Sequence, residues 1–319
     1  MKKILFLFAV LASLVACSKD DIIDSNRREI SFGGPFVQNS TKAIDDSYSG
    51  KKSLTTFNVW GTVTGNNKTV NVFNGATCSG NINMDIWGCD QTEYWVPNCT
   101  YNFTAIVDAD ANGIKTGNYT MPTEITVTSD GTKDLLLATA TATTNNNAEP
   151  SQNPVKFSFT HLMSQAYFTF QNTVGNDNYQ FQVTGIKVSN LYSKGTYTIG
   201  ADTPWAVSDV SRTSVDFGSA VYAEGEETIS DKNPATSNYA RTFLPATYGE
   251  SNKFNVSFKA YLIYKGETIG VKDYSYDVAH TFAVNGCYNF VVSLGAGNKI
   301  TFKVNEVLGW GEIPDINIP

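Results

Sequence analysis

Alternation of apolar and polar residues at a period of two recurs along almost the whole chain and restricts its fold more than any other feature. That period places successive side chains on opposite faces of a strand. Val155-Lys156-Phe157-Ser158-Phe159 alternates strictly. Residues 101–105, 125–128, 179–188 and 254–260 alternate too, the last running on to Tyr264. Between such runs lie clusters of Gly, Asn and Asp, the residues that form tight turns. Gly65-Asn66-Asn67 separates residues 57–63 from 70–73 and predicts a hairpin. A second turn is predicted at Lys265-Gly266-Glu267, which sends residues 254–264 back through Ile269 and Val271. Ser129-Asp130-Gly131 predicts a turn from residues 125–128 into 134–138. No stretch sustains a helical period. Only 17% of residues are charged and 13% are aromatic, so the chain has the means to pack rather than stay disordered. The expected fold is all-β, built from β-sandwiches.

The N-terminus carries a different signal. Lys2 and Lys3 precede an uncharged apolar run over residues 4–16. That run is shorter than the roughly 20 residues a permanent membrane helix needs, and it ends in small residues, so it predicts a secretory signal. Leu14-Val15-Ala16-Cys17 resembles a bacterial lipobox. The expectation is cleavage after Ala16 and a lipid on the Cys17 thiol. Ser18-Lys19-Asp20-Asp21 resembles the tag that sends Bacteroidota lipoproteins to the outer face of the outer membrane. Loss of Lys2 and Lys3 takes the net charge from −7 to about −9, which offers no electrostatic footprint for nucleic acid. The predicted organisation is a signal peptide over 1–16, a polar tether over 17–29, and two β-sandwiches over 30–150 and 151–319. Ile30, Phe32 and Phe36 open the first with a candidate strand. The Thr- and Asn-rich stretch 141–154 is the expected flexible connection.

Catalytic patterns are poor. Neither histidine, His161 or His280, sits in a recognisable nucleophile or zinc motif, and no phosphate loop is present. His161 is expected to make a structural hydrogen bond or pack against a neighbouring strand. No cofactor and no catalytic residue is predicted. Asp108, Asp110 and Asn112, followed by Gly113, resemble the opening of a calcium loop, but Tyr119 stands where its bidentate Glu belongs, so an Asx-rich turn is the expectation. Cys78, Cys89, Cys99 and Cys287 allow bridges outside the cytoplasm, with Cys78, Cys89 and Cys99 close in sequence; buried thiols remain the alternative. Trp60, Trp87, Trp95, Trp205 and Trp310 could stack sugars if exposed, although core packing is the default.

Several stretches, taken in order, resemble the fimbrillin-like lipoproteins of Bacteroidota. They are the lipobox, Ser40-Thr41-Lys42-Ala43, Phe57-Asn58-Val59-Trp60-Gly61 and Tyr94-Trp95-Val96-Pro97 leading into Tyr101-Asn102-Phe103-Thr104-Ala105. Asp134-Leu135-Leu136-Leu137-Ala138, the run from Val155 to Ser164, Tyr288-Asn289-Phe290 and Trp310-Gly311 complete the set. The resemblance implies two β-sandwiches of transthyretin-like topology and a subunit of a surface pilus or fimbria serving cell adhesion, as stalk, tip or anchor. Its implied partners are other fimbrial subunits, through strand exchange at an unpaired sheet edge, and the outer membrane through its lipid. In the family a protease cutting after arginine removes the first strand; here Lys42 stands at the matching place, while Arg28 lies upstream of Ile30. Residues 309–319, with Ile313, Ile316 and Ile318, could serve as a donor strand. A glycan-binding surface lipoprotein is the alternative function.

Overall fold

A computed structural model describes residues 27–34, 36–37, 54–80, 85–107, 121–295 and 300–307. The described residues form strands and turns, with no helix among them. The first nine strands are β1 (Phe32–Gly33), β2 (Phe36–Val37), β3 (Thr56–Gly65), β4 (Lys68–Ser79), β5 (Ile86–Cys89), β6 (Thr100–Ile106), β7 (Glu124–Thr128), β8 (Leu136–Thr143) and β9 (Ser158–His161). All but β7 make one sheet, in the order β1-β5-β4-β3-β6-β8-β9-β2. Its centre is the hairpin β3–β4. Asn66 and Asn67 adopt φ of 48° and 60°, the left-handed pair that a tight two-residue hairpin turn demands. Asn tolerates that region better than most residues, which is why the chain reverses there.

The remaining strands are β10 (Ser164–Asn172), β11 (Tyr179–Tyr192), β12 (Lys194–Thr198), β13 (Trp205–Val207), β14 (Arg212–Gly218), β15 (Ala220–Val221), β16 (Ala235–Ser237), β17 (Arg241–Phe243), β18 (Ala246–Tyr248), β19 (Phe254–Tyr264), β20 (Glu267–Val278), β21 (His280–Phe282), β22 (Cys287–Leu294) and β23 (Ile300–Val307). One sheet runs β15-β16-β10-β22-β23, with β17 also on β10, and β10 lies parallel to β22. A second runs β14-β11-β19-β20. Aromatic rings join the two across their inner faces: Phe168 meets Phe217 at 4.9 Å, and Phe170 meets Phe258 at 5.4 Å, centroid to centroid. This is a sandwich core made by alternate inward residues of both sheets. The β19–β20 hairpin turns at Lys265 and Gly266, with φ of 49° and 84°, as its sequence predicts.

Two expectations change. Residues 124–128 do not pair back onto 136–143. Instead β7 pairs with β12 in the small sheet β13-β12-β7, and Ile125 and Val127 are buried in the second core. Alternation correctly marks the strand, yet it cannot say which neighbour the strand takes. Residues 141–154 form a pinned hairpin loop. Asn145 Oδ1 accepts from the backbone N–H groups of Asn147 and Glu149, and Ser151 N–H donates to Thr143 O. Past it, β9 still pairs with β8, so the chain leaves the first core after His161.

Polar contacts stitch the two cores together at that point. Leu162 N–H donates to Leu135 O, Thr242 Oγ1 to Lys133 O, and Trp205 Nε1 to Leu162 O. Among them the fully buried His161 ring bonds through Nδ1 to Asp134, whose other carboxylate oxygen accepts the Leu135 N–H. Truncating one partner of a buried hydrogen-bonded pair leaves the other's polar group stranded. His161→Ala is therefore expected to lower unfolding free energy by roughly 3–5 kcal/mol, and replacing His161 and Asp134 together by apolar residues should cost less. Chemical denaturation of the single and double variants measures both.

Candidate functional site

The stretch that occupies the unusual position is the first one. Both edges of the N-terminal sheet end on residues 30–37. On one side β1 runs antiparallel to β5, with Phe32 opposite Trp87 and Gly33 opposite Ile86. Ile30 N–H donates to Glu93 O, and Trp95 N–H donates to Arg28 O. On the other side Gly33 N–H donates to Val155 O, and Val155 N–H donates to Ser31 O, both at 2.8 Å. Ser31 also donates to the Asn153 side chain, and β2 continues in parallel along β9. One segment thus supplies the missing ladder to both edges and closes the sheet.

Its side chains fill the seam as well. Phe32 is completely buried, and its ring touches those of Phe57, Phe73, Phe103 and Phe157 at centroid distances of 5.3 to 6.5 Å. Ile30 is buried beside it. Gly61 makes the neighbouring packing possible, because a Cβ there would come 2.9 Å from the Phe103 ring. Gly33 is confined likewise, where a Cβ would meet Pro154 at 3.2 Å and Lys156 at 3.3 Å. The seam is therefore an apolar groove with backbone donors and acceptors on both rims. It can hold an extended strand with a large aromatic residue at the position of Phe32.

Cys78 and Cys89 face each other across β4 and β5 and form a disulfide, so β5, one rim of the seam, is bound covalently to its neighbour. Cys99 is buried and donates to Pro97 O, and Cys287 is buried in the second core. Burial pushes the Cys287 thiol up to about 12, partly offset by a hydrogen bond from the Tyr288 backbone. Arg28 is exposed and paired with Glu149 at 3.3 Å, a contact worth little to stability. Trp60, Trp87 and Trp95 are core residues, and Trp205 is half-buried, so none of the four offers an open stacking face of the kind a glycan site requires. His280 lies edge-on to Phe282 and Tyr288. Among the described residues no group of three His, Cys, Asp or Glu could hold a metal. Ala16, Cys17, Lys42, Asp108, Asp110, Asn112, Trp310 and the 309–319 segment lie outside the described residues. Glu93 and Asn153, which line the seam, carry no sequence signal, and Val155 is marked only as a strand residue, since all three meet the first strand only through the fold.

The fimbrillin-like family model matches residues 41–310. The fold is similar to a crystal structure of a fimbrial protein from Bacteroides vulgatus, with a TM-score of 0.60 at 18% identity, covering 90% of this chain and 100% of that one. It is also similar to a protein assigned to cell adhesion from Bacteroides ovatus, with a TM-score of 0.57 at 15% identity, covering 90% and 99%. Comparison with curated proteins returns no match.

Two outcomes follow from the geometry. Phe32→Ala should destabilise the first core by about 3–5 kcal/mol, the usual cost of removing a buried aromatic ring, with Phe32→Leu costing less. Denaturant unfolding followed through Trp87 and Trp95 fluorescence reads this. Cys287 should resist thiol reagents at pH 8 in the folded chain and react once it is unfolded. Its contribution to stability is full below its ordinary value of 9.0 and is lost as pH rises towards about 12.

Proposed function

Because the chain belongs to the fimbrillin-like family, we propose that it is a structural subunit of a surface fimbrium that polymerises by exchanging the strand in its N-terminal seam. The single observation that carries this reading is the segment 30–37, which supplies the ladder to both edges of one sheet and the central ring of its core. Removing it would leave backbone groups of Glu93 and Val155 without partners and expose the faces of Phe57, Phe73, Phe103 and Phe157. An open edge over an apolar groove is a template for a strand from another chain. Repeated head to tail, that contact gives a filament rather than a closed ring.

In this scheme the chain is exported on its signal peptide, cleaved after Ala16 and carried to the outer membrane by lipid on Cys17. Its partners are further fimbrial subunits, and the role is adhesive rather than enzymatic. A cut at Arg28 would leave residues 30–37 seated, whereas a cut near Lys42 would detach them from the rest of the chain. The apolar residues Ile313, Ile316 and Ile318 make the C-terminal segment the candidate donor.

The test is the N-terminus and mass of the chain recovered from assembled fimbriae. The expected result is a chain that starts beyond residue 37, without its lipid. Polymerised chains that still begin at lipidated Cys17 would refute exchange at this seam and leave an anchoring role.

A further inference from the structure

We infer that the Cys78–Cys89 bridge holds one rim of the seam in place while the seam is between occupants, so that an incoming strand meets an edge already formed. This rests on the strand-exchange reading above and adds a positioning role for two residues which that reading does not need.

The two rims are not equally secure. The 153–159 rim is anchored by its own side chains, because Val155, Phe157 and Phe159 are all buried in the core. The β5 rim is four residues long, with Ile86 53% exposed and Gly88 exposed, so Trp87 is its one fully buried residue and the bridged Cys89 packs only partly against the core. Half of its ladder is with β1, through Trp87 and Ile86. The other half is with β4, through Cys89 opposite Cys78 and Gly88 opposite Ser79. When residues 30–33 leave, β5 loses the first half. Two remaining ladder pairs are little to hold a strand of this length against the conformational freedom it would regain.

The bridge removes that freedom. It ties the last residue of β5 to β4, which is itself paired with β3 over the whole length of the hairpin. Asp90, the next residue, adds a backbone donor to Thr77 O and accepts the Thr77 N–H on its side chain. Trp87 is held from below. Its indole stacks on Phe57 at 5.2 Å and lies flush on Gly80, where a Cβ would come within 2.6 Å of the ring. Bridge, glycine bed and stacking partner together keep the surface that must receive the aromatic side chain of an entering strand. An edge organised beforehand is bound faster and with less ordering cost than one that must form on encounter.

The experiment uses the full chain with a protease site placed between residues 38 and 53. Cutting it leaves the resident strand in the seam without a covalent link. A fluorescent synthetic peptide of residues 28–37 is then added, and its uptake and the release of the resident strand are followed separately. Wild type is compared with the Cys78→Ser, Cys89→Ser double variant, and with folded wild type treated with a mild reductant, which serves if the double variant fails to fold. The expected result is uptake slowed by roughly tenfold or more without the bridge, while release of the resident strand changes by less than about threefold. Uptake rates equal with and without the bridge would overturn the inference. A bridged, cut chain that neither releases its strand nor takes up the peptide would overturn the strand-exchange reading itself, and this inference with it.

Discussion

A sheet that is not closed presents two rows of unpaired N–H and C=O groups, and in the first lobe one short segment answers both. Residues 30–33 bond to the 86–93 stretch on one side and to 153–155 on the other. The same segment drives Phe32 into the centre of an aromatic cluster. Each hydrogen bond contributes only about 0.5–1.5 kcal/mol net, but leaving a buried group unmade costs more, about 1–3 kcal/mol. The asymmetry is what matters. The closing segment adds moderate stability while present, and its absence leaves an edge and an apolar groove that demand a replacement.

The second lobe is arranged differently, with its closure distributed over long hairpins. β11, β19 and β20 pair over most of their lengths, and their inward residues meet the other sheet ring to ring. It also takes a strand from the first half of the chain. β7 lies beside β12, Trp60 and Ile106 reach the second core, and the His161–Asp134 pair is buried where the cores meet. A buried pair of this kind adds little net stability over apolar packing but punishes any arrangement that separates its members. It therefore specifies how the chain passes from one core to the other.

What the sequence reveals depends on how local the physics is. The β3–β4 and β19–β20 hairpins are legible because Asn66, Asn67, Lys265 and Gly266 sit where their turns demand positive φ. Strand β7 is legible as a strand but not by its partner, because alternation encodes faces and not neighbours. Residues 141–154 read as a linker by composition, yet Asn145, one of the residues that suggest flexibility, binds the backbone of its own loop. Spacing leaves the cysteine pairing open, and only strand register places Cys78 opposite Cys89. Least visible is the seam itself. Phe32 is recognisable as an apolar strand residue, but its pairing with Val155 joins positions that no local pattern connects.

That distance in sequence is also what makes the segment separable. Every described contact that seats residues 30–37 is made with residues beyond position 54, and no described strand lies between them and β3. A cut between these two points leaves both ladders and the Phe32 contacts intact while removing the covalent restraint on their loss. The segment would then stay by affinity alone, and another strand of similar pattern could compete for the same groove on equal chemical terms. Arg28 lies on the wrong side of the segment for this, since its carbonyl accepts from Trp95 and everything C-terminal to it remains attached. The location of the cut relative to Phe32, rather than the identity of the basic residue, decides whether the segment stays covalently tied to the rest of the chain.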